Sequence, residues 1–283
     1  MTARSGVLPA ACAALFGLSF VFTRVAVPAL GPVGVSAIRA LLGGLLLLAV
    51  VLARRQRPGS VRPARFLALG ALSAALPFVL LSMAMTTMNA GSAAVLNAVS
   101  PLFALLIEVR AGRDRFTARK IAGLALGVGG VVLVMAQRGL DFGGDGAVGA
   151  VAGIAGAAVF AYGATYAARH FHDVPPLVVA TGQQLGAAVL LLPAAIAFPP
   201  PGPVTLAAAA SVAGLGVLGS GLAYLLFYRL IDRLGPARSA AVNLLVPIFG
   251  VLWGLVLLGE PVPPLSVLGM AAALLGVRWI MVR

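Results

Sequence analysis

Apolar residues run along this chain in long blocks, broken by short basic or glycine-proline stretches. Ten blocks stand out: 7–28, 33–53, 66–86, 91–109, 117–136, 147–168, 176–197, 207–229, 236–258 and 264–281. Each is close to the roughly 20 apolar residues that a helix needs to cross a bilayer. In lipid only helices and closed barrels satisfy their own backbone, and these runs are too long and too unalternating for barrel strands. The pattern predicts an all-α polytopic membrane protein with ten transmembrane helices.

The second half repeats the first. At a constant displacement of 146 positions, Asn97 falls on Asn243, Pro101 on Pro247, Phe103 on Phe249 and Gly123 on Gly269. The same displacement puts Gly17 on Gly163 and Gly70 on Gly216. Each copy holds five spans, an odd number, so the second copy is expected to insert upside down relative to the first. The polar, glycine-rich stretch from Arg138 to Gly146 reads as the linker, giving a first five-helix repeat over 1–138 and a second over 139–283. An inverted-topology repeat is the plan of many secondary transporters.

Composition removes the main alternatives. Of 283 residues, 61% are apolar and 10% charged, with a mean hydropathy of +1.08; a soluble domain has about 45–50% and about 25%. The net charge of +13 lies in short runs between spans, such as Arg54, Arg55, Arg57, Arg62 and Arg65, so no nucleic-acid partner is expected. Further basic residues follow the fourth, sixth and eighth spans: Arg110, Arg113, Arg115, Arg119 and Lys120; Arg169; and Arg229, Arg233 and Arg238. The opposite connections carry only Arg24 and Arg138. The positive-inside rule then places both termini in the cytoplasm; the membrane is expected to be a bacterial inner membrane. The run from Gly6 to Val27 is long for a signal peptide and reads as the first span. The single cysteine, Cys12, forms no intrachain disulfide.

Candidate site residues are few. Each Asn-x-x-x-Pro pair, Asn97 with Pro101 and Asn243 with Pro247, puts a proline in mid-span, where it denies a hydrogen bond to the asparagine carbonyl four residues back. The result is a polar kink that either lines a cavity or only shapes the bundle. Phe16 and Phe20 share one helix face; their counterparts are Tyr162 and Tyr166, and Phe78 matches Tyr224. These rings are expected to form two related gates over a substrate cavity, the alternative being ordinary packing or lipid-facing rings. Arg39 lies within the second span, as Gln183 and Gln184 lie within the seventh, and all three are candidates for polar lining. Arg39 is near enough to the outer interface to snorkel instead.

Absences carry weight too. Glu108 ends the fourth span, and Asp114, Asp141, Asp145, Asp173, Asp232 and Glu260 fall in connections, so no carboxylate is expected at mid-membrane. Carriers of lipophilic cations, and many proton-coupled carriers, place one there, so a neutral or zwitterionic substrate fits better. His170-x-His172 lacks further clustered ligands, and no metal or other cofactor is expected. No phosphate-binding loop or nucleophile elbow is present, so neither ATP drive within the chain nor an enzyme is expected.

Phe16-Gly-Leu-Ser-Phe20 and Asn97-x-x-Ser-Pro-Leu-Phe103, followed by Asp114 and Gly123, resemble the first EamA repeat of the drug/metabolite transporter superfamily. Asn243-x-x-x-Pro-Ile-Phe249, followed by Gly-Glu260-Pro and Gly269, resembles the second. The first copy has Asp114 where the family usually has glutamate. The resemblance implies ten helices, inverted repeats and a cavity lined mainly by the first, third, fourth, sixth, eighth and ninth spans. Within the superfamily the chain most resembles the YddG-type exporters of aromatic amino acids. The expectation is an alternating-access exporter of neutral, above all aromatic, amino acids or similar small metabolites. A broad-specificity drug or metabolite exporter is the alternative transporter, and a membrane-embedded enzyme or scaffold the alternative of another class.

Overall fold

A computed structural model describes residues 4–56, 61–87, 96–97, 99–136, 145–235, 238–239, 241–258 and 264–281. Among the described residues, eleven α-helices follow in chain order: α1 (Arg4–Ala53), α2 (Pro63–Gly70), α3 (Leu76–Thr87), α4 (Ser100–Arg110), α5 (Ala118–Ala136), α6 (Asp145–His170), α7 (Pro176–Ala197), α8 (Leu206–Gly214), α9 (Ala223–Leu234), α10 (Val246–Leu258) and α11 (Pro264–Met281). No strand occurs among the described residues. Exposed apolar side chains cover the outside of the bundle, with Val151 69%, Ile196 83% and Val256 68% exposed. Such a surface belongs against lipid tails. This is a multi-pass helical membrane protein.

The first two predicted spans are the two helical arms of α1, which meet without a loop at a sharp kink at the non-helical Gly31 (φ 68°, ψ 166°), between Pro28 and Pro32. That left-handed backbone suits glycine because it has no Cβ to clash. The third span is also one rod, but its coil widens to a π-helical turn over Ala71–Ala75, between α2 and α3. A second π-helical segment, Leu215–Leu222, joins α8 to α9. Displaced by 146, Ala71–Ala75 falls inside Leu215–Leu222. Such wide turns are rare and gather at functional sites.

The Asn-x-x-x-Pro prolines do not kink continuous helices. Pro101 sits in the first turn of α4, after a break at Val99. Pro247 likewise sits in the first turn of α10, after a short 3₁₀ turn at Ala241–Leu244. A proline in a first turn costs no hydrogen bond, since that N–H has no helical partner anyway. Both spans are therefore discontinuous, and Asn97 and Asn243 stand at the breaks.

Helix pairing repeats between the halves. Gly219 meets Ser19, and Gly163 meets Ser73, so the eighth span packs on the first as the third does on the sixth. A Cβ on Gly43 would lie 2.9 Å from the Gly216 carbonyl. Gly70, the counterpart of Gly216, meets the backbone of Gly186 and Ala187 in the same manner. α5 and α11 also approach closely: a Cβ on Gly276 would lie 2.5 Å from the Gly123 carbonyl and from the Gly127 nitrogen. Small residues let backbones approach where lipid supplies no hydrophobic drive. The linker residues 137–144, and with them the proposed boundary between repeats at 138/139, lie outside the described residues, as do Asp141 and Glu260.

Candidate functional site

A cavity of about 60 Å³ opens between the two halves of the chain. Phe16, Ser19, Phe20 and Thr23 of α1 form one wall; Pro77, Phe78, Leu81 and Met85 of α3 form another. Asn97 and Asn243 enter from the two helix breaks, and Arg39, Gly156, Phe160 and Tyr224 complete the lining. The spacing of Phe16, Ser19, Phe20 and Thr23 follows the helical repeat, so one face of α1 points inward. Ser19 and Thr23 give their hydroxyl protons to the carbonyls of Leu15 (3.0 Å) and Ser19 (2.7 Å). Their oxygens keep lone pairs for another donor.

An aromatic cluster closes one end. Tyr224 makes edge-to-face contacts with Phe16 (centroids 5.3 Å apart) and Phe78 (5.7 Å). Phe227 packs behind, 5.8 Å from Phe16 and 5.3 Å from Phe160. Tyr224, Phe227 and Tyr228 are all buried. The Tyr224 hydroxyl donates to the Ser73 carbonyl at 3.2 Å.

That carbonyl belongs to the wide turn. Pro77, four residues on, offers it no N–H. It accepts from Tyr224 and, at 3.2 Å, from Gln183 Nε2. The next residue, Gln184, donates through Nε2 to the Ser220 carbonyl at 3.1 Å, in the other wide turn. The Tyr228 hydroxyl donates to Gln183 Oε1. Two neighbouring amides on α7 thus tie both wide turns, one in each half.

Arg39 is 5% exposed. Its Nε donates to Ser220 Oγ at 2.9 Å, and its guanidinium carbon stands 3.8 Å from the centroid of the Phe78 ring. It is buried in the bundle, not snorkelling to an interface. Among the described residues, no carboxylate lines the cavity. Among the described acids, Glu108 is buried near the end of α4, Asp145 starts α6, Asp232 lies in the last turn of α9, and Asp114 and Asp173 are in connections. Asp114 pairs with Lys120. Partial burial pushes its carboxyl up; the Lys120 hydrogen bond, the Arg115 N–H and the charges of Lys120 and Arg238 outweigh that and hold it below the usual carboxylate range.

Seven of the candidate residues therefore meet at one place: Phe16, Phe20, Phe78, Tyr224, Arg39, Asn97 and Asn243. Six stand elsewhere. Tyr162 is 47% exposed on the outside of the bundle. Tyr166 stacks on His170 (centroids 4.2 Å apart) and packs against Phe171. Pro101 faces a separate recess with Asp114, Lys120 and Arg238, and Pro247 is buried in α10. Gln183 and Gln184 are fully buried behind the lining. The sequence reading passed over Ser19, Thr23 and Phe160, although Ser19 and Thr23 share the face of Phe16 and Phe20. The two histidines are engaged separately: His170 Nδ1 lies 3.0 Å from the Tyr166 carbonyl, and His172 pairs with Asp173 at 2.8 Å.

Comparison with known proteins agrees with this architecture. A solved crystal structure superposes with a TM-score of 0.82 at 21% identity, covering 98% of both chains. An uncharacterized transporter of Archaeoglobus fulgidus is 24% identical over 272 residues, 95% of each chain. A protein of Streptantibioticus cattleyicolor named "Probable terminal-alkyne amino-acid exporter" is 30% identical over 211 residues, 71% of this chain and 67% of its own. An uncharacterized protein of Pseudomonas aeruginosa is 31% identical over 265 residues, covering 88% of this chain and 86% of its own. The profile of the EamA-like transporter family matches twice in tandem, over residues 4–136 and 147–282, and the chain belongs to that family.

Proposed function

We propose that this transporter exports a small neutral amino acid, or a metabolite of similar size and polarity, from the cytoplasm of a bacterium by alternating access. The observation that carries the reading is the cavity itself: it lies between the two halves, draws residues from both, and is mostly apolar with a few polar groups. Pockets of that make-up bind small molecules. In this reading the repeats are 1–138 and 139–283, opposed across the membrane, and both termini face the cytoplasm. The paired helix contacts and the Lys/Arg distribution support this arrangement.

The relative from Streptantibioticus cattleyicolor is named for an amino-acid substrate, with nothing aromatic in its name. The aromatic preference implied by the YddG-type resemblance has no such support. No carboxylate lines the cavity among the described residues, which disfavours lipophilic cations, and so the broad drug-exporter alternative.

The test is counterflow in proteoliposomes containing the purified chain and a panel of labelled amino acids. Accelerated exchange of small neutral members is the expected result. Exchange of cationic dyes alone overturns the reading.

A further inference from the structure

We infer that Arg39 is the anchor for a carboxylate on the transported molecule, which narrows the substrate class to small carboxylates, α-amino acids included. The inference rests on the cavity being the transport site.

Arg39 reaches the cavity from a fully helical stretch of α1 and is buried there. A buried cation is costly unless an anion or a set of acceptors compensates it. Here one N–H has a neutral partner, Ser220 Oγ, and the guanidinium lies on an apolar ring, Phe78. No acid among the described residues lines the cavity. Every described carboxylate is at a helix end or in a connection. The charge is thus held where a ligand fits, without an acid in the lining to balance it. Intramembrane ions in such a setting mark substrate pathways.

The two contacts also aim the group. Ser220 belongs to the wide turn of the second half, and its carbonyl is tied by Gln184. Phe78 follows the wide turn of the first half. One contact fixes Nε and the other the position of the guanidinium carbon, so the planar fork is presented in a set orientation. A guanidinium matches a carboxylate through two parallel hydrogen bonds, which a lysine ammonium does not reproduce. Phe16 and Phe20 line the cavity beside it for an apolar side chain, and the Ser19 and Thr23 oxygens accept from an ammonium. Phe78 and Ser220 act as positioning residues.

The experiment uses the full chain in proteoliposomes and in detergent. Labelled L-valine counterflow is competed with L-valine, with isovalerate (carboxylate kept, amine absent) and with L-valinamide (amine kept, carboxylate neutralised). The same three ligands are tested for thermal stabilisation in detergent. In the wild type, valine and isovalerate are expected to compete and stabilise, and valinamide to do neither. Arg39→Gln is expected to weaken the carboxylate ligands by about tenfold to a hundredfold and to erase the preference over valinamide. Arg39→Lys keeps the charge, and so is expected to keep the order of competitors at reduced affinity. Should Arg39→Gln fail to fold, the competitor order in the wild type and in Arg39→Lys still decides. Wild-type protein that binds valinamide as well as valine, or binding of inorganic phosphate in place of both carboxylates, overturns the inference, as does a well-folded Arg39→Gln that keeps the preference. If no amino acid shows counterflow, the exporter reading fails, while the thermal shifts still judge Arg39.

Discussion

Asn243 Nδ2 donates to Ser100 Oγ at 2.8 Å, joining the helix break of the second half to the first turn of the helix that follows the break of the first. Ser100 and Asn243 are 0% and 2% exposed. Losing one partner of a buried hydrogen bond costs about 1–3 kcal/mol. Asn243→Ala and Ser100→Ala are each expected to lower apparent stability in detergent, and the double variant to lose less than their sum. Strict additivity in that double-mutant cycle argues against a direct bond.

Gln183 and Gln184 are predicted to be structural, not substrate-binding. Each supplies the donor for a wide-turn carbonyl. Gln184→Ala removes one donor from the Ser220 carbonyl and disturbs the residue that holds Arg39. A melting-temperature drop corresponding to about 1–3 kcal/mol is expected from either alanine variant. An intact melting temperature with a large loss of affinity shows instead that these amides touch substrate.

The two tyrosines most alike in sequence should behave in opposite ways. Tyr162 is 47% exposed and Tyr224 is 3% exposed against Phe16 and Phe78. Tyr162→Ala is expected to leave counterflow nearly unchanged. Tyr224→Ala opens a cavity of the kind that costs about 3–5 kcal/mol for a buried aromatic, and should reduce counterflow sharply. Equal effects at both sites contradict the placement of the rings.

Gly276 tests one of the close helix pairs. An added methyl meets backbone of Gly123 and Gly127, which has no rotamer by which to give way. Gly276→Ala is expected to destabilise by about 1–3 kcal/mol, the usual range for overpacking. A stabilised variant means that α5 and α11 stand further apart.

Asp114 gives a pH signature. Its carboxyl is held below the usual range by Lys120, the Arg115 N–H and Arg238, against the opposing effect of burial. A depressed carboxylate contributes stability above its unfolded pKa, near 3.9, and loses it as pH falls through the lower folded value. The wild type is therefore expected to exceed Asp114→Asn by a constant margin from pH 7 to about 5, on the order of 1 kcal/mol or less for a partly exposed pair. Apparent melting temperatures that converge only below about pH 4 match this; convergence near pH 6 does not.

The spans were legible because lipid imposes a length and a uniform apolar character that little else in a sequence imitates. The doubling was legible because Asn, Pro and Gly keep their places across 146 positions. Other features depend on choices that local sequence does not encode. Pro101 and Pro247 fit a mid-helix kink or a first helical turn equally well, and only the backbone before them decides. Tyr162 and Tyr166 obey the same i,i+4 rule as Phe16 and Phe20; periodicity defines a face but not whether that face meets protein or lipid. Arg39 could be placed along its span, but depth alone does not reveal that Ser220 and Phe78 wait on one side of it. The wide turn at Ala71–Ala75 left no mark, since its alanines and leucine are ordinary helix formers, whereas Gly216, Gly219 and Gly221 weaken Leu215–Leu222 as an α-helix without specifying a wide turn.

One of those wide turns, Ala71–Ala75, has a corollary for chain length. A coil of this kind stores one residue more than the rod around it requires. Excising a single alanine there lets the rod tighten to ordinary α-helix while Phe66 below and Phe78 above keep their bearings. The same excision anywhere else along Pro63–Thr87 swings every later side chain by about a hundred degrees. Five residues in this span thus hold slack that the remaining twenty lack.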